Sequence, residues 1–112
     1  MARKPTKRAL PPEALDIVAH RFRALADATR LGLLQVLFEK EHTVHELCAL
    51  TGTSQANASK HLAVLRDGGL VARRRQGLFT YYRVADVSLE PLCRLVCGSL
   101  AERHDALRAS LG

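Results

Sequence analysis

A chain of 112 residues is long enough for one domain with a real core, too short for two, and small enough that a second subunit would help bury its helices. Lys plus Arg number 17 against 11 Asp plus Glu, and the resulting net charge of +6 suits a polyanionic partner better than an acidic protein surface. There is no run of the roughly 18 apolar residues that a membrane span needs and no apolar leader after the charged first ten residues, and three scattered cysteines argue against a disulfide framework. The expectation is a reduced, cytoplasmic protein without membrane association.

Residues 1–11 read as a flexible basic arm, because Arg3, Lys4, Lys7 and Arg8 lie in a stretch without apolar periodicity. Its two readings are a solvated tail and a non-specific phosphate contact. Residues 12–112 form the single folded domain. Pro11-Pro12 punctuates the chain, and Leu15, Val18, Ala19, Phe22, Leu25 and Ala26 then recur at helical spacing, which predicts a first helix. Asp27 is placed to cap a second helix over about 28–39, with Leu31, Leu34, Leu37 and Phe38 as its inward stripe.

Thr43 followed three residues later by Glu46 spells a capping box, so a third helix starts near Val44, and Gly52 supplies the left-handed residue that ends it. Ser54 caps a fourth helix whose Ala58, Leu62 and Leu65 point inward, leaving Ala56, Asn57, Ser59, Lys60 and Ala63 outside. Two helices around a tight glycine turn make a helix-turn-helix. Gly68-Gly69 closes it, and two β-rich runs, 70–75 and 79–84, flank Gln76-Gly77-Leu78 as a hairpin whose near strand carries Arg73, Arg74 and Arg75.

Ser88 or Asp86 caps a last helix that tolerates Pro91 in its first turn and carries Leu89, Cys93, Val96, Leu100, Leu107 and Leu111 as a continuous apolar stripe. So long a stripe on a terminal helix needs a partner, and the first helix is striped likewise. The expected fold is therefore mainly α with a small β-hairpin between the fourth and fifth helices, a winged helix-turn-helix dimerising through its first and last helices. Its two reading heads would meet half-sites about one helical turn or a little more apart.

A fourth helix of this kind enters a major groove amino end first, so Ser54 and Gln55 meet phosphate or base edges while Asn57, Ser59 and Lys60 project beside them. Gln55 and Asn57 have the amides for adenine, and Ala56 has a methyl for a thymine methyl. Arg73, Arg74, Arg75 and the Gly77 tip would follow the neighbouring backbone or minor groove. Three consecutive arginines on one strand cannot all face one way, so at least one is solvated or pairs with a carboxylate. Tyr81 or Tyr82 either hydrogen-bonds a phosphate or packs against the helices. His61 falls toward the core, which predicts a structural hydrogen bond rather than base contact. No Ser-His-Asp order, metal-hydrolase pair or phosphate-cradling glycine loop occurs, so no enzyme is expected. The rival is a winged-helix protein-interaction module.

Leu25-Ala26-Asp27-Ala28-Thr29-Arg30-Leu31, the helix bearing Ser54-Gln55, Ser59, His61-Leu62 and Leu65, then Gly69-Leu70-Val71, and Gly77 with Tyr81-Tyr82-Arg83 together resemble the ArsR/SmtB repressors over roughly residues 22–84. The resemblance implies a homodimeric repressor on palindromic double-stranded operator DNA, released by an inducer that is often a metal ion or metalloid. The family's sensor positions are altered here. Where arsenic and cadmium sensors resemble Cys-Val-Cys-x-Leu-Cys, this chain has Thr43-Val44-His45-Glu46-Leu47-Cys48 and keeps only the last thiol. Where zinc sensors pair an Asp and a His with a His and a Glu, it has Asp86, Ser88, Ser99 and Glu102. The second-helix cysteine of the family's persulfide and disulfide sensors has no counterpart.

Cys93 and Cys97 remain, spaced four apart on one helical face. Three readings stay open for them: a site for a soft ion such as zinc, cadmium or arsenite, a target for oxidants or reactive sulfur, and inert packing. His104 shares the face, but about 10 Å of helix rise beyond Cys97 lets it join the same ion only across a dimer axis. Cys48 is either a fourth effector residue or a core thiol.

Overall fold

Side-chain caps set where the helices begin. The computed structural model describes residues 9–111, in the order α1 (Pro12–Leu25), α2 (Ala28–Glu39), β1 (His42–Thr43), α3 (Val44–Thr51), α4 (Gln55–Asp67), β2 (Val71–Gln76), β3 (Phe79–Val84) and α5 (Leu89–Leu111). The four cations of the basic arm, Arg3, Lys4, Lys7 and Arg8, lie outside the described residues. Asp27 Oδ1 accepts the Arg30 amide at 3.0 Å and starts α2. Thr43 and Glu46 make the reciprocal box expected of them, Glu46 N donating to Thr43 Oγ1 at 3.2 Å and Thr43 N to Glu46 Oε1 at 2.9 Å. Gly52, at φ 71°, ends α3, and Ser54 Oγ accepts the Asn57 amide to start α4. Each cap satisfies an amide that the helix itself leaves unpaired.

The core is built from Leu33, Leu34 and Leu37 of α2, Leu47 of α3, Leu62 and Leu65 of α4, and Leu70, Val71 and Tyr82 of the sheet, with Ala24 and Leu89 closing its edges. Each fully buried leucine contributes about 1.5–3 kcal/mol relative to exposure. α2 sits at the centre, packing against α1, α3, α4 and β3. Its inward stripe differs from the expected one: Leu33 is buried and Leu31 is 39% exposed. An apolar helix covered on several sides has no single inward face, so periodicity alone misassigned Leu31.

The sheet has three strands rather than the expected two, in the order β1-β3-β2. β1 is only two residues long, pairing His42 with Tyr82 and Thr43 with Tyr81, too short for any alternation to announce it. In the hairpin Gln76 pairs with Phe79, so the turn is Gly77-Leu78 alone and Gln76 belongs to the strand. Gly77 takes the first turn position at φ 62°, where a two-residue hairpin turn favours glycine. The arrangement is that of a winged helix-turn-helix, β2 and β3 forming the wing.

α5 leaves the wing through Asp86. Its Oδ1 accepts from Ser88 N at 2.9 Å and Ser88 Oγ at 2.6 Å, while Oδ2 receives Arg21 Nη1 of α1 at 2.8 Å. Asp86 thus fixes the first turn of α5 and ties it to α1. Beyond that turn the helix is open: Leu95, Val96 and Leu100 are exposed, as are Leu15, Ile17 and Phe22 of α1. Among the described residues no helix is long and apolar enough to cross a membrane.

Two measurements check this packing. Leu62→Ala removes a side chain with no solvent exposure and lowers stability by about 2–5 kcal/mol in urea unfolding. The Ser88 hydrogen bonds and then Arg21 hold the Asp86 carboxyl below its ordinary 3.8. A carboxylate depressed in the folded state contributes stability above its unfolded value and loses it as pH falls through the folded one. Asp86→Asn therefore lowers the melting temperature at neutral pH and flattens its decline below about pH 4.

Candidate nucleic-acid interface

Burial fixes which way α4 faces. Ala58, Leu62 and Leu65 have no exposed surface, and the helix period then puts Gln55, Ala56, Asn57, Ser59 and Lys60 in solvent. These are the outward residues expected from the sequence, although Ala63 is half-buried. Ser54 caps the helix and the first turn carries no acidic residue, so the positive end of the helix dipole is left for an anion. Thr51 Oγ1 donates to Leu47 O at 2.7 Å and accepts from the Thr53 hydroxyl at 2.9 Å, which closes the turn leading into α4.

His61 is structural, as its place on the helix predicted. Arg30 of α2 donates Nε to Ala24 O at 2.5 Å, Nη2 to Arg23 O at 3.2 Å, and Nη1 to His61 Nδ1 at 3.2 Å. A guanidinium only donates, so Nδ1 accepts and the ring proton belongs on Nε2. One side chain thereby ties the reading helix to the carboxyl end of α1. Asp27 Oδ1 lies 4.0 Å from the same imidazole nitrogen. The Arg30 amide, foremost, with the Arg30 guanidinium nearby, holds the Asp27 carboxyl below its ordinary value.

The wing divides its arginines by strand alternation. Val71, Arg73 and Arg75 share one face, and Val71 sits in the core beneath α4, so Arg73 and Arg75 extend the α4 side of the sheet into solvent. Arg74 points the other way. Its guanidinium grips both carboxylate oxygens of Glu41, with Nε to Oε2 at 2.9 Å, donates Nη1 to Gln76 at 2.6 Å, and lies 4.7 Å over the Tyr81 ring. The bond from Arg74 is the main reason the Glu41 carboxyl is held below its usual range. Of the three arginines expected to divide, Arg74 is the one paired with a carboxylate, and the half-buried Tyr81 ring lies under its guanidinium. Tyr82 is buried in the core, and Arg83, next to it on the central strand β3, is exposed.

Cys93 and Cys97 do face one space. A groove of about 320 Å³ runs between α1, α2 and α5, walled by Phe22, Leu31, Phe38 and Val96 with both thiols, and Gln35 is its one amide. Burial, then the neighbouring Cys97, push the Cys93 thiol above its ordinary value. Cys48 and His104 do not join them. Cys48 is half-buried on α3, His104 is exposed further along α5, and among the described residues no three His, Cys, Asp or Glu side chains cluster to hold a metal ion.

Sequence reasoning missed Glu41, Arg30 and Gln35, whose roles come from partners distant in the chain. It also missed His42, which is 5% exposed and 3.7 Å from Glu46 Oε2, with neither ring nitrogen hydrogen-bonded among the described residues.

Known proteins share this arrangement. The model of a family described as bacterial regulatory protein, arsR family, matches residues 27–73. The HTH-type transcriptional regulator Rv0324 of Mycobacterium tuberculosis is 40% identical over 82 residues, 73% of this chain and 36% of that protein. The probable mercury resistance operon repressor of Streptomyces lividans is 41% identical over 92 residues, 82% of this chain and 74% of that one. The match thus spans about a third of the first relative and three quarters of the second. Among solved structures, the homodimeric winged helix-turn-helix DNA-binding domain Mb0332 of Mycobacterium bovis, a possible ArsR-family transcriptional regulator, aligns with a TM-score of 0.73 at 36% identity, covering 88% of this chain and 93% of that one.

The Arg30 tie has a direct check. His61→Ala leaves a partly buried guanidinium without one acceptor and lowers stability by about 1–3 kcal/mol in denaturant titration. Arg30→Lys, which cannot reach all three acceptors, falls in the same direction.

Proposed function

The chain belongs to the arsR family of bacterial regulatory proteins, and from that premise we propose that residues 12–112 act as one domain of a cytoplasmic, homodimeric repressor of transcription. It grips double-stranded operator DNA with α4 and the β2–β3 wing and lets go when an inducer acts on α5. The observation that carries this reading is the polar outward face of α4 beside two arginines that extend the same side of the wing. Gln55 and Asn57 read adenine edges, and Ala56 meets a thymine methyl. Ser54, Ser59 and Lys60 hold the neighbouring phosphates, as do Arg73, Arg75 and the Gly77 tip. Arg74, through Glu41, positions the wing instead of touching DNA.

The exposed apolar residues of α1 and α5 supply the two-fold contact. Leu15, Ile17 and Phe22 with Leu95, Val96 and Leu100 form a surface that a second copy covers, setting the distance between the two reading helices. The inducer acts on Cys93 and Cys97, in the groove between these dimerising helices and α2. It releases DNA by preferring the freed conformation, a coupling of about 1–3 kcal/mol.

Fluorescence anisotropy on a duplex selected from a randomised pool tests the reading. Affinity falls linearly with salt on logarithmic axes, and Arg73→Ala or Arg75→Ala each removes about 0.9 from the slope on every sequence. Arg74→Ala leaves the slope in place. Asn57→Ala or Gln55→Ala costs about 1–3 kcal/mol and relaxes preference at one position of each half-site. Salt-insensitive or absent binding turns the reading toward a protein-interaction module.

A further inference from the structure

Cys93 and Cys97 stand one helical turn apart and line the same groove. That spacing sets Cβ atoms about 5–6 Å apart, whereas a disulfide requires about 3.5–4.5 Å, so an intact α5 does not close one. Two collinear metal–thiolate bonds of about 2.3 Å each span about 4.6 Å and fit between these side chains without unwinding the helix. The groove offers no other strong donor: Gln35 is its one polar side chain besides the thiols, and no third His, Cys, Asp or Glu gathers there among the described residues. A zinc ion, which takes four ligands, is therefore left half coordinated on one chain.

We propose that Cys93 and Cys97 of a single chain hold one divalent soft cation of closed-shell type in linear two-coordination, mercuric ion being the probe of that class, and that its capture is the inducing event. This deepens, and rests on, the reading of these thiols as the inducer site. Both thiols lose a proton to solvent, two metal–sulfur bonds form, and no oxidation state changes. The charges then cancel, two thiolates against one dication. A neutral adduct suits a groove walled by Phe22, Leu31, Phe38 and Val96, in which Cys93 is half-buried and Cys97 reaches solvent. A monovalent ion leaves one negative charge. Trivalent arsenic leaves a bond for a third sulfur that the groove lacks. Capture displaces both thiol protons, so it strengthens as pH rises. Leu31 carries the wall of this site and follows Arg30, the residue that holds His61 of α4.

The test uses the full chain with Cys48→Ser, leaving only the groove thiols. Titration with mercuric chloride without DNA is expected to bind one ion per chain, release two protons, silence both thiols, and give an X-ray absorption spectrum with two sulfur neighbours alone. One equivalent then weakens operator binding by about 5–150-fold. With Cys93→Ser and Cys97→Ser added, operator affinity is kept and the ion no longer alters it. Three or more donors, one ion shared by two chains, the same uptake in the double serine variant, or an operator affinity unmoved by the bound ion each overturns the proposal. Failure of the metal-free protein to bind any operator overturns the repressor reading instead, and the coordination result is obtained independently of it.

Discussion

Removal of Ala58, Leu62 and Leu65 from water is the constraint on which the rest of the molecule depends. Once those side chains enter the core beside Leu33, Leu34 and Leu47, α4 cannot roll, and the residues between them have nowhere to point but outward. A roll of one residue's worth would bury Asn57 or Ser59 and expose leucine. The hydrophobic effect that folds the domain is thus the force that aims its polar face, and Arg30, through His61, pins that aim to the rest of the scaffold.

Around this helix the chain divides its charged and apolar groups by task. Arg74 is held by a bidentate carboxylate and an aromatic ring, which fixes the wing beside α4, while on the other face Arg73 and Arg75 are exposed, Arg75 donating Nε to Gly77 O at 3.4 Å. Arg21 and Asp86 play the corresponding part at the far end, fastening α1 to the start of α5. The apolar surface left over on α1 and α5 is more than one small domain can cover, and its groove contains the two thiols. In the proposed reading DNA contact has a face of its own, whereas dimerisation and inducer capture share the α1–α5 side, with Phe22 and Val96 belonging to both.

What could be read in the sequence was what acts over a few residues. Asp27, Thr43 with Glu46, and Ser54 mark helix starts through bonds to amides three positions on, and Gly52 ends α3 by its left-handed backbone, so their meaning is local. The roll of α4 was legible too, because its inward residues are few and regularly spaced. α2 hid its face by being apolar nearly all round, so Leu31 was placed inward and Leu33 passed over. β1 is too short to carry a pattern. Glu41 and Arg74 are separated by 33 positions, and Arg21 and Asp86 by 65, distances at which only the folded chain chooses partners. The sequence showed that three adjacent arginines must divide, and the fold decided which one. It likewise suggested that Cys93 and Cys97 share a face, and the fold alone left Cys48 and His104 elsewhere.

The central claim is that the outward amides of α4 touch base edges in a major groove, twice, through paired subunits. Replacing single adenines of a selected operator with 7-deazaadenine removes the N7 acceptor and leaves pairing intact. Affinity is expected to drop at one or two symmetry-related positions per half-site, and to become insensitive there in Asn57→Ala or Gln55→Ala protein. Equal affinity for every substituted duplex, or losses confined to one half of the site, would contradict the account.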